Sequence, residues 1–172
     1  LHGRYPDILE DDVVGAQAKE LFKDAKVLLN RIFDDKLLKA NAVFGLFPAN
    51  SVNDDDIQIQ NSEFRIQNYK FLTLRQQSKK AAGKPNLALA DFIAPKETGV
   101  QDYMGCFCVS TGFGTESLAK EFEENHDDYN AIMIKALADR LAEAFAEYLH
   151  KEVRTNYWNY AQDESLTNED LI

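Results

Sequence analysis

The chain has 172 residues, of which 45% are hydrophobic, so it is long enough to bury one sizeable core. Its 29 acidic residues outnumber its 19 basic ones, and the resulting net charge of -10 repels nucleic-acid phosphates and anionic lipid surfaces. No stretch approaches the roughly 20 apolar residues of a membrane-spanning helix, and the amino end lacks the apolar core of a signal peptide. We therefore expect a single cytoplasmic domain over residues 1–172, without nucleic-acid or membrane partners.

Periodic apolar residues predict three helices. The first spans about residues 11–33 and begins at two aspartates, which capping and the helix dipole favour at an amino end. Its apolar stripe consists of Val14, Ala18, Leu21, Ala25, Leu28 and Ile32. A short helix is expected over residues 115–124, and the longest one over about residues 127–154.

Apolar runs between these helices predict strands. Residues 42–47 form one strand closed by Pro48-Ala49-Asn50, and Ile57 and Ile59 alternate with glutamines in another. A turn at residues 61–63 is expected to lead into a third strand over residues 64–74, completing a hairpin. Helices at both ends of this strand-rich middle predict an α+β fold with a mostly antiparallel sheet.

The segment after this hairpin is less regular. Residues 87–92 fit a short helix ended by Pro95, and the continuous apolar run 103–109 predicts a central strand covered on both faces. Cys106 and Cys108 lie two apart on that strand, a spacing that suits neither a redox pair nor a zinc knuckle. We expect both to be small buried hydrophobes.

The longest predicted helix has two unlike sides. At about 100° per residue, its core side carries Met133, Leu137, Leu141, Ala144, Phe145 and Tyr148. Asp139, Glu143 and His150 lie on the opposite side, with Arg140 and Glu147 at the border. Carboxylates at steps of four repel one another, which favours a cationic partner. Spacing leaves two interpretations open: a solvated charged face, or a cleft wall that accepts hydrogen bonds from an ammonium group.

Three other motifs favour structural roles. Asp54-Asp55-Asp56 lacks the ligand spacing of a calcium loop and indicates a turn. His126-Asp127-Asp128 precedes the longest helix and indicates capping. Gly112-Phe113-Gly114 lacks the lysine of a phosphate-binding loop and indicates a strand-to-helix turn. No hydrolytic triad or Cys-His signature stands out.

Several longer strings carry more specific information. They are Tyr5-Pro6-Asp7-Ile8-Leu9-Glu10-Asp11, Gly45-Leu46-Phe47-Pro48-Ala49-Asn50, Leu74-Arg75-Gln76-Gln77, Leu89-Ala90-Asp91-Phe92-Ile93-Ala94-Pro95-Lys96, His126-Asp127-Asp128-Tyr129-Asn130 and the whole of residues 135–150. In this order, across essentially the whole chain, they resemble the activation domain of cobalamin-dependent methionine synthase.

The resemblance implies a task within a methyltransferase. In that family the enzyme moves a methyl group from methyltetrahydrofolate to homocysteine through cobalamin, which is occasionally oxidised to inactive cob(II)alamin. The activation domain binds S-adenosylmethionine and presents its methyl group to the cobalt, while flavodoxin or an equivalent reductase supplies an electron. The cofactors implied are therefore S-adenosylmethionine and the cobalamin of a neighbouring domain, and the partners are that domain and the reductase.

The resemblance also assigns residues. Glu143 matches the family's helix glutamate beside the methionyl part of the ligand, where a carboxylate suits the ammonium group. Arg140 is expected to orient Glu143. Asp139 matches a position implicated in contacts with the cobalamin-binding domain. No catalytic acid or base and no metal ligand is assigned.

The family has further ligand groups that these 172 residues do not contain. They are an aspartate in an aromatic-rich segment on the amino-terminal side, and an Arg-Pro-Ala-Pro-Gly-Tyr-Pro segment on the carboxyl-terminal side. We therefore expect a chain truncated at both ends that holds one wall of the site, binds the ligand weakly or not at all by itself, and is inactive alone. Two alternatives are an acidic protein-docking module without a small-molecule ligand and a stand-alone corrinoid-repair protein.

Overall fold

The computed structural model describes residues 3–60, 69–167 and 170. The chain divides into two compact units, one formed by Leu1–Ala42 with Val109–Ile172 and the other by Val43–Cys108. Long helices and a four-stranded sheet confirm the predicted α+β class. That residues 1–172 form a single domain stays a prediction.

The helices all belong to the first unit. They are α1 (Gly15–Asp34), α2 (Thr115–Glu124) and α3 (Asp128–Glu152), which a π-helical turn, Val153–Tyr157, extends. All three predicted helices are confirmed, but α1 begins at Gly15 with Val14 at its N-cap and no side-chain cap, so the aspartates at 11 and 12 lie one turn too early. Asp11 Oδ1 accepts hydrogen bonds from the backbone N–H groups of Val13 (2.8 Å) and Val14 (2.9 Å) just before α1.

The core of the first unit lies where these helices meet. It contains Leu28 and Ile32 of α1, Leu118 and Ala119 of α2, and Met133 and Ile134 of α3. Ile134 is fully buried, at 0% exposure. The predicted stripe of α1 is confirmed at Ala18, Leu28 and Ile32, but Leu21 is exposed.

The buried side of α3 differs from the predicted one. Its buried residues are Ala131, Met133, Ile134, Ala138 and Leu149. Met133 was predicted correctly, but Ala144 and Tyr148 were wrongly assigned to the core because both are exposed. The reason is that Ile134 and Ala138, one turn apart, define the line of closest packing, and the Ala138 carbonyl accepts a 2.7 Å hydrogen bond from the buried Thr111 Oγ1.

The strands form one sheet in the order β3-β2-β1-β4. Their bounds are β1 (Lys39–Ser51), β2 (Asp56–Ile59), β3 (Tyr69–Leu72) and β4 (Asp102–Phe113). β1 pairs antiparallel with β2, with Ala49 opposite Ile59 and Ser51 opposite Ile57, and β2 pairs antiparallel with β3. Ile57 and Ile59 are buried with Ala49 and Ala90, as their alternation predicted.

Two strand predictions were wrong at their ends. β1 does not stop at Pro48-Ala49-Asn50, because Ala49, Asn50 and Ser51 are its most buried residues and the Pro48 carbonyl accepts the backbone N–H of Gln60 at 2.8 Å. Of the predicted third strand, only Tyr69–Leu72 is a strand among the described residues. The predicted turn at residues 61–63 and the first part of that strand, residues 64–68, lie outside the described residues.

The strand predicted to be central lies at the edge of the sheet. Along β4, half-buried Met104 and Cys106 alternate with the exposed Tyr103 and Phe107, so one face only is covered. The expectation of two buried cysteines is therefore wrong for Cys108, which is exposed, while Cys106 is half-buried. The predicted short helix near residues 87–92 is a 3-10 turn, Leu89–Phe92.

The passage from β4 to α2 depends on one glycine. Gly114 has a φ of +104°, in the left-handed region that side chains disfavour. A Cβ at this position would lie 2.7 Å from the backbone oxygen of Leu37. The predicted turn at Gly112-Phe113-Gly114 is confirmed, and it sets where α2 begins beneath α3.

Candidate functional site

The candidate site lies on the exposed side of α3. Asp139, Arg140, Glu143 and Glu147 are all exposed there. The buried stripe described above fixes the rotation of the helix, because Ile134 and Ala138 cannot leave the core without losing their packing. The acidic side is therefore held outward by the core of the first unit.

The start of α3 is fixed by a cap. Asp127 Oδ1 accepts the backbone N–H of Asn130 at 3.1 Å, and Asp127 Oδ2 accepts the Asn130 side-chain amide at 2.7 Å. Both hydrogen bonds, and chiefly the one from the Asn130 side chain, hold the pKa of Asp127 below its ordinary value. The capping role predicted for His126-Asp127-Asp128 is thus confirmed, and the helix that carries the candidate residues has a defined origin.

Arg140 and Glu143 form an ion pair on this side. Arg140 Nη1 lies 2.7 Å from Glu143 Oε2, and the two side chains are 69% and 62% exposed. At that exposure the pair is well solvated, and its strength depends on salt. Arg140 thus lies within ion-pair distance of Glu143, and the positioning role expected for it stays a prediction.

The other predicted residue, Asp139, lies one turn before Glu143 and is equally solvent-facing. It belongs to the same row of carboxylates, which continues to Glu147. These side chains present negative charge to anything that approaches α3 from this side, and a cationic group is the complement. The roles assigned to Asp139, Arg140 and Glu143 remain predictions.

An apolar cavity of ≈ 450 Å³ adjoins a neighbouring side of α3. Leu141, Ala144 and Phe145 line it from the helix, together with residues at the end of α1, the start of β1 and Thr111. Asp139, Arg140 and Glu143 are not part of this lining. Ala144, which was wrongly predicted to lie in the core, is exposed because it lines this cavity.

A network around Arg75 organises the second unit, and sequence spacing did not reveal it. The guanidinium donates to Asp91 Oδ2 (2.7 Å) and Oδ1 (2.9 Å), to Asp55 Oδ1 (2.8 Å), and to the backbone oxygens of Asp54 (2.6 Å) and Asn86 (2.7 Å). The hydrogen bonds from Arg75 are the main reason that the pKa of Asp91 falls to about 2, and the Asp91 carboxylate in turn raises the pKa of Arg75. Two of the strings that carried the resemblance, around Arg75 and Asp91, therefore share one structural role.

Asn50 links β1 to a later segment of the second unit. At 5% exposure, its side-chain amide donates to the backbone oxygens of Ala94 (3.0 Å) and Val100 (2.8 Å). The neighbouring Ser51 Oγ donates to the Ile93 oxygen at 3.0 Å. These bonds tie β1 to the segment that leads into β4, so the string ending in Asn50 also has a structural explanation.

A half-buried ion pair follows α3 and was likewise missed by sequence reasoning. Arg154 Nε and Nη2 donate to the two carboxylate oxygens of Glu164 at 2.7 and 2.6 Å, and the two side chains are only 18% and 6% exposed. The pairing lowers the pKa of Glu164, mainly through the hydrogen bonds from Arg154. The two residues are ten positions apart along the chain, which hides this pair from any helical periodicity.

The described residues 3–60, 69–167 and 170 contain no group of three or more His, Cys, Asp or Glu side chains placed to hold a metal ion. None of the helices in this described part has the length and apolar character to cross a membrane.

Two comparisons with known proteins bear on this arrangement. The family described as vitamin B12 dependent methionine synthase, activation domain, matches residues 1–172. A solved structure described as "Crystal Structure of the MetH Reactivation Domain bound to AdoHcy" is similar to this chain, with a TM-score of 0.83 and 54% sequence identity. The similarity covers 99% of this chain and 52% of that one, so this chain spans about half the length of the solved relative.

Proposed function

Because the chain belongs to the family of vitamin B12 dependent methionine synthase activation domains, we propose that it binds S-adenosylmethionine and positions it for the reductive methylation of cob(II)alamin. The observation that carries this proposal is the match to a reactivation domain solved with AdoHcy, 54% identical over 99% of this chain. AdoHcy is what S-adenosylmethionine becomes after losing its methyl group. A site that holds the product of such a transfer holds most of the atoms of its donor.

Glu143 is proposed to bind the ammonium group of the ligand. Its carboxylate is solvent-facing, and Arg140 engages Oε2. A carboxylate held in this way can accept a charge-assisted hydrogen bond without first giving up a buried contact. Arg140 acts as the positioning residue, because its guanidinium at 2.7 Å limits the rotation of the Glu143 side chain.

When bound, S-adenosylmethionine supplies the methyl group, and a separate protein supplies the electron that makes the cobalt nucleophilic. The contribution of this chain is orientation: a fixed ligand on a rigid helix makes a rare transfer effectively intramolecular. Asp139 is proposed to contact the cobalamin-binding domain of the same enzyme from the same exposed side of α3. Flavodoxin or an equivalent reductase is the proposed electron donor, and the cytoplasm is the proposed location.

Calorimetric titration of S-adenosylmethionine into the full-length protein that contains this chain tests the proposal, with Glu143→Gln as the variant that removes the charge while keeping the shape. We expect Glu143→Gln to weaken binding about tenfold or more, as the loss of a hydrogen bond to a charged group implies. Glu147→Gln, one turn further along α3 in the same acidic row, is the matched control and should bind like the unchanged chain. Equal binding by the Glu143 and Glu147 variants would remove Glu143 from the site.

Ligand binding is also the test of the main alternative. If neither the 172-residue chain nor the full-length protein that contains it shows heat of binding, the chain is better described as an acidic docking module. Because the neighbouring row of carboxylates would then serve a basic protein partner, the Glu143 and Glu147 variants would weaken that interaction alike.

A further inference from the structure

A loop of the second unit carries three lysines and no carboxylate. We define the basic loop as residues 77–86. Lys79, Lys80 and Lys84 are exposed on it, and no carboxylate occurs in the sequence between Arg75 and Asp91. In a chain of net charge -10, three lysines within six residues form a local reversal of sign.

The base of the basic loop is fixed by hydrogen bonds. The Gln76 backbone N–H donates to the Leu87 oxygen at 2.9 Å, and the Leu87 N–H donates back to Gln76 Oε1 at 3.3 Å. Arg75, itself held by Asp55 and Asp91, donates to the Asn86 oxygen at 2.7 Å. The two ends of the loop are therefore held together, which is how compact surface loops present their tips.

The tip is also ordered, but it is open to solvent. The Lys84 N–H donates to the Ala81 oxygen at 3.0 Å, closing a turn in which Gly83 has a φ of +79°. A Cβ at Gly83 would meet no atom within 4 Å. A partner reaching this tip thus meets little steric hindrance, and part of the entropy cost of ordering the loop is already met by its own hydrogen bonds.

Some lysines of the described residues are held in ion pairs, and those of the basic loop are not. Lys70 pairs with Asp56 at 3.3 Å and Lys135 with Glu123 at 3.1 Å. Within residues 3–60, 69–167 and 170, Lys79, Lys80 and Lys84 enter no ion pair. Their charge is therefore available to a partner and is screened only by salt.

We propose that the basic loop is a docking element for the acidic surface of a protein partner. A protein can offer a compact carboxylate patch to the tip alone. A nucleic acid or an anionic bilayer would extend past the tip. It would then meet the carboxylates beside the base of the loop, which are Asp54, Asp55 and Asp91, and would be repelled by the net negative charge of the chain. Exposed charges of this kind steer association and set its salt dependence more than they add affinity.

The proposed electron donor, flavodoxin, is the probe for this surface, and only that choice rests on the proposed function. Carbodiimide cross-linking joins a lysine amine to a partner carboxylate as an amide. We expect it to link flavodoxin to the basic loop, as mapped by mass spectrometry. In a triple lysine-to-serine variant of the loop, we expect the association rate at low salt to fall about tenfold. The matched control removes the same charge elsewhere, at Lys23, Lys39 and Lys151, and should associate as the unchanged chain does.

Several outcomes would overturn the assignment. They are equal association by the loop variant and the control, cross-links confined to lysines outside the loop, and absence of cross-linking. Tighter binding of short single-stranded DNA or phosphatidylglycerol vesicles through the same lysines would also overturn it. Titration of S-adenosylmethionine into the full-length protein with the loop substitutions separates this proposal from the proposed function, because the docking role of the loop predicts an unchanged heat of binding. Loop cross-linking without ligand binding by the full-length protein would refute the proposed function alone.

Discussion

Replacing Ile134 by alanine should destabilise the first unit more than most single substitutions do. Ile134 is 0% exposed in the core between α1, α2 and α3. The change deletes about three methyl or methylene groups, whose transfer from water is worth about 2.4 kcal/mol at about 0.8 kcal/mol each. Incomplete collapse of the resulting cavity raises the expected cost to about 3–4 kcal/mol. Ile134→Val, which removes one methyl group, should cost about 1 kcal/mol.

Urea unfolding measures this cost. With a typical slope of about 2 kcal/mol per molar urea, Ile134→Ala should lower the unfolding midpoint by about 1.5–2 M. The only tryptophan, Trp158, lies in the first unit, so its fluorescence reports on that unit, while far-UV circular dichroism reports on both. Ile57→Ala is the matched control, because Ile57 is similarly buried, at 2% exposure, in the second unit.

These measurements also test whether residues 1–172 act as one domain. A single cooperative domain requires that fluorescence and circular dichroism change together and that Ile57→Ala shifts both. The packing argument is refuted if Ile134→Ala costs less than about 1 kcal/mol, the cost expected for the valine variant. If Ile57→Ala shifts circular dichroism but leaves Trp158 fluorescence unmoved, the single-domain prediction is wrong.

Two further substitutions follow from the geometry. Gly114→Ala should cost about 1–3 kcal/mol, because Gly114 has a positive φ and an added Cβ would approach the Leu37 oxygen. Gly112→Ala is the milder control, because its added Cβ would have its nearest neighbour at 3.8 Å. Equal urea midpoints for the two variants would contradict this prediction. Asp91, whose pKa is about 2 in the fold against an ordinary value of 3.8, stabilises the fold fully above about pH 4 and loses this effect as the pH falls through 2. Asp91→Asn should therefore lower the urea midpoint at pH 7 but differ little from the unchanged chain near pH 2, and a difference independent of pH would exclude the Arg75–Asp91 pair as its cause.

The helices and the alternating strand were predictable because their signals are local. The stripe ending in Leu28 and Ile32, the cap at Asp127 and the alternation of Ile57 and Ile59 each depend on residues within a few positions of one another. The edge position of β4 was not predictable, because continuous apolar sequence is equally compatible with an edge strand whose exposed face carries Tyr103 and Phe107. A strand's position depends on pairing partners that its own sequence does not contain.

The candidate site was predictable only in part. Periodicity places Asp139 and Glu143 on the exposed side of α3 and Arg140 at its border, and all three are exposed in the structure. It does not distinguish a ligand carboxylate from a solvated one, and the roles of these residues came from the resemblance alone. Neither periodicity nor the resemblance predicted the Arg75 network, because its partners Asp55 and Asp91 are 20 and 16 positions away along the chain.

The fork of hydrogen bonds at Arg75 has a consequence for how the second unit moves. One guanidinium joins the turn at Asp54 and Asp55 to Asn86 and Asp91. A fluctuation that frees either segment leaves charged donors and acceptors of the other without partners, so the two should open together as one cooperative element. Amide hydrogen exchange should then report a shared opening free energy for backbone groups near residues 55 and 91. These groups are distant along the chain but are governed by one side chain.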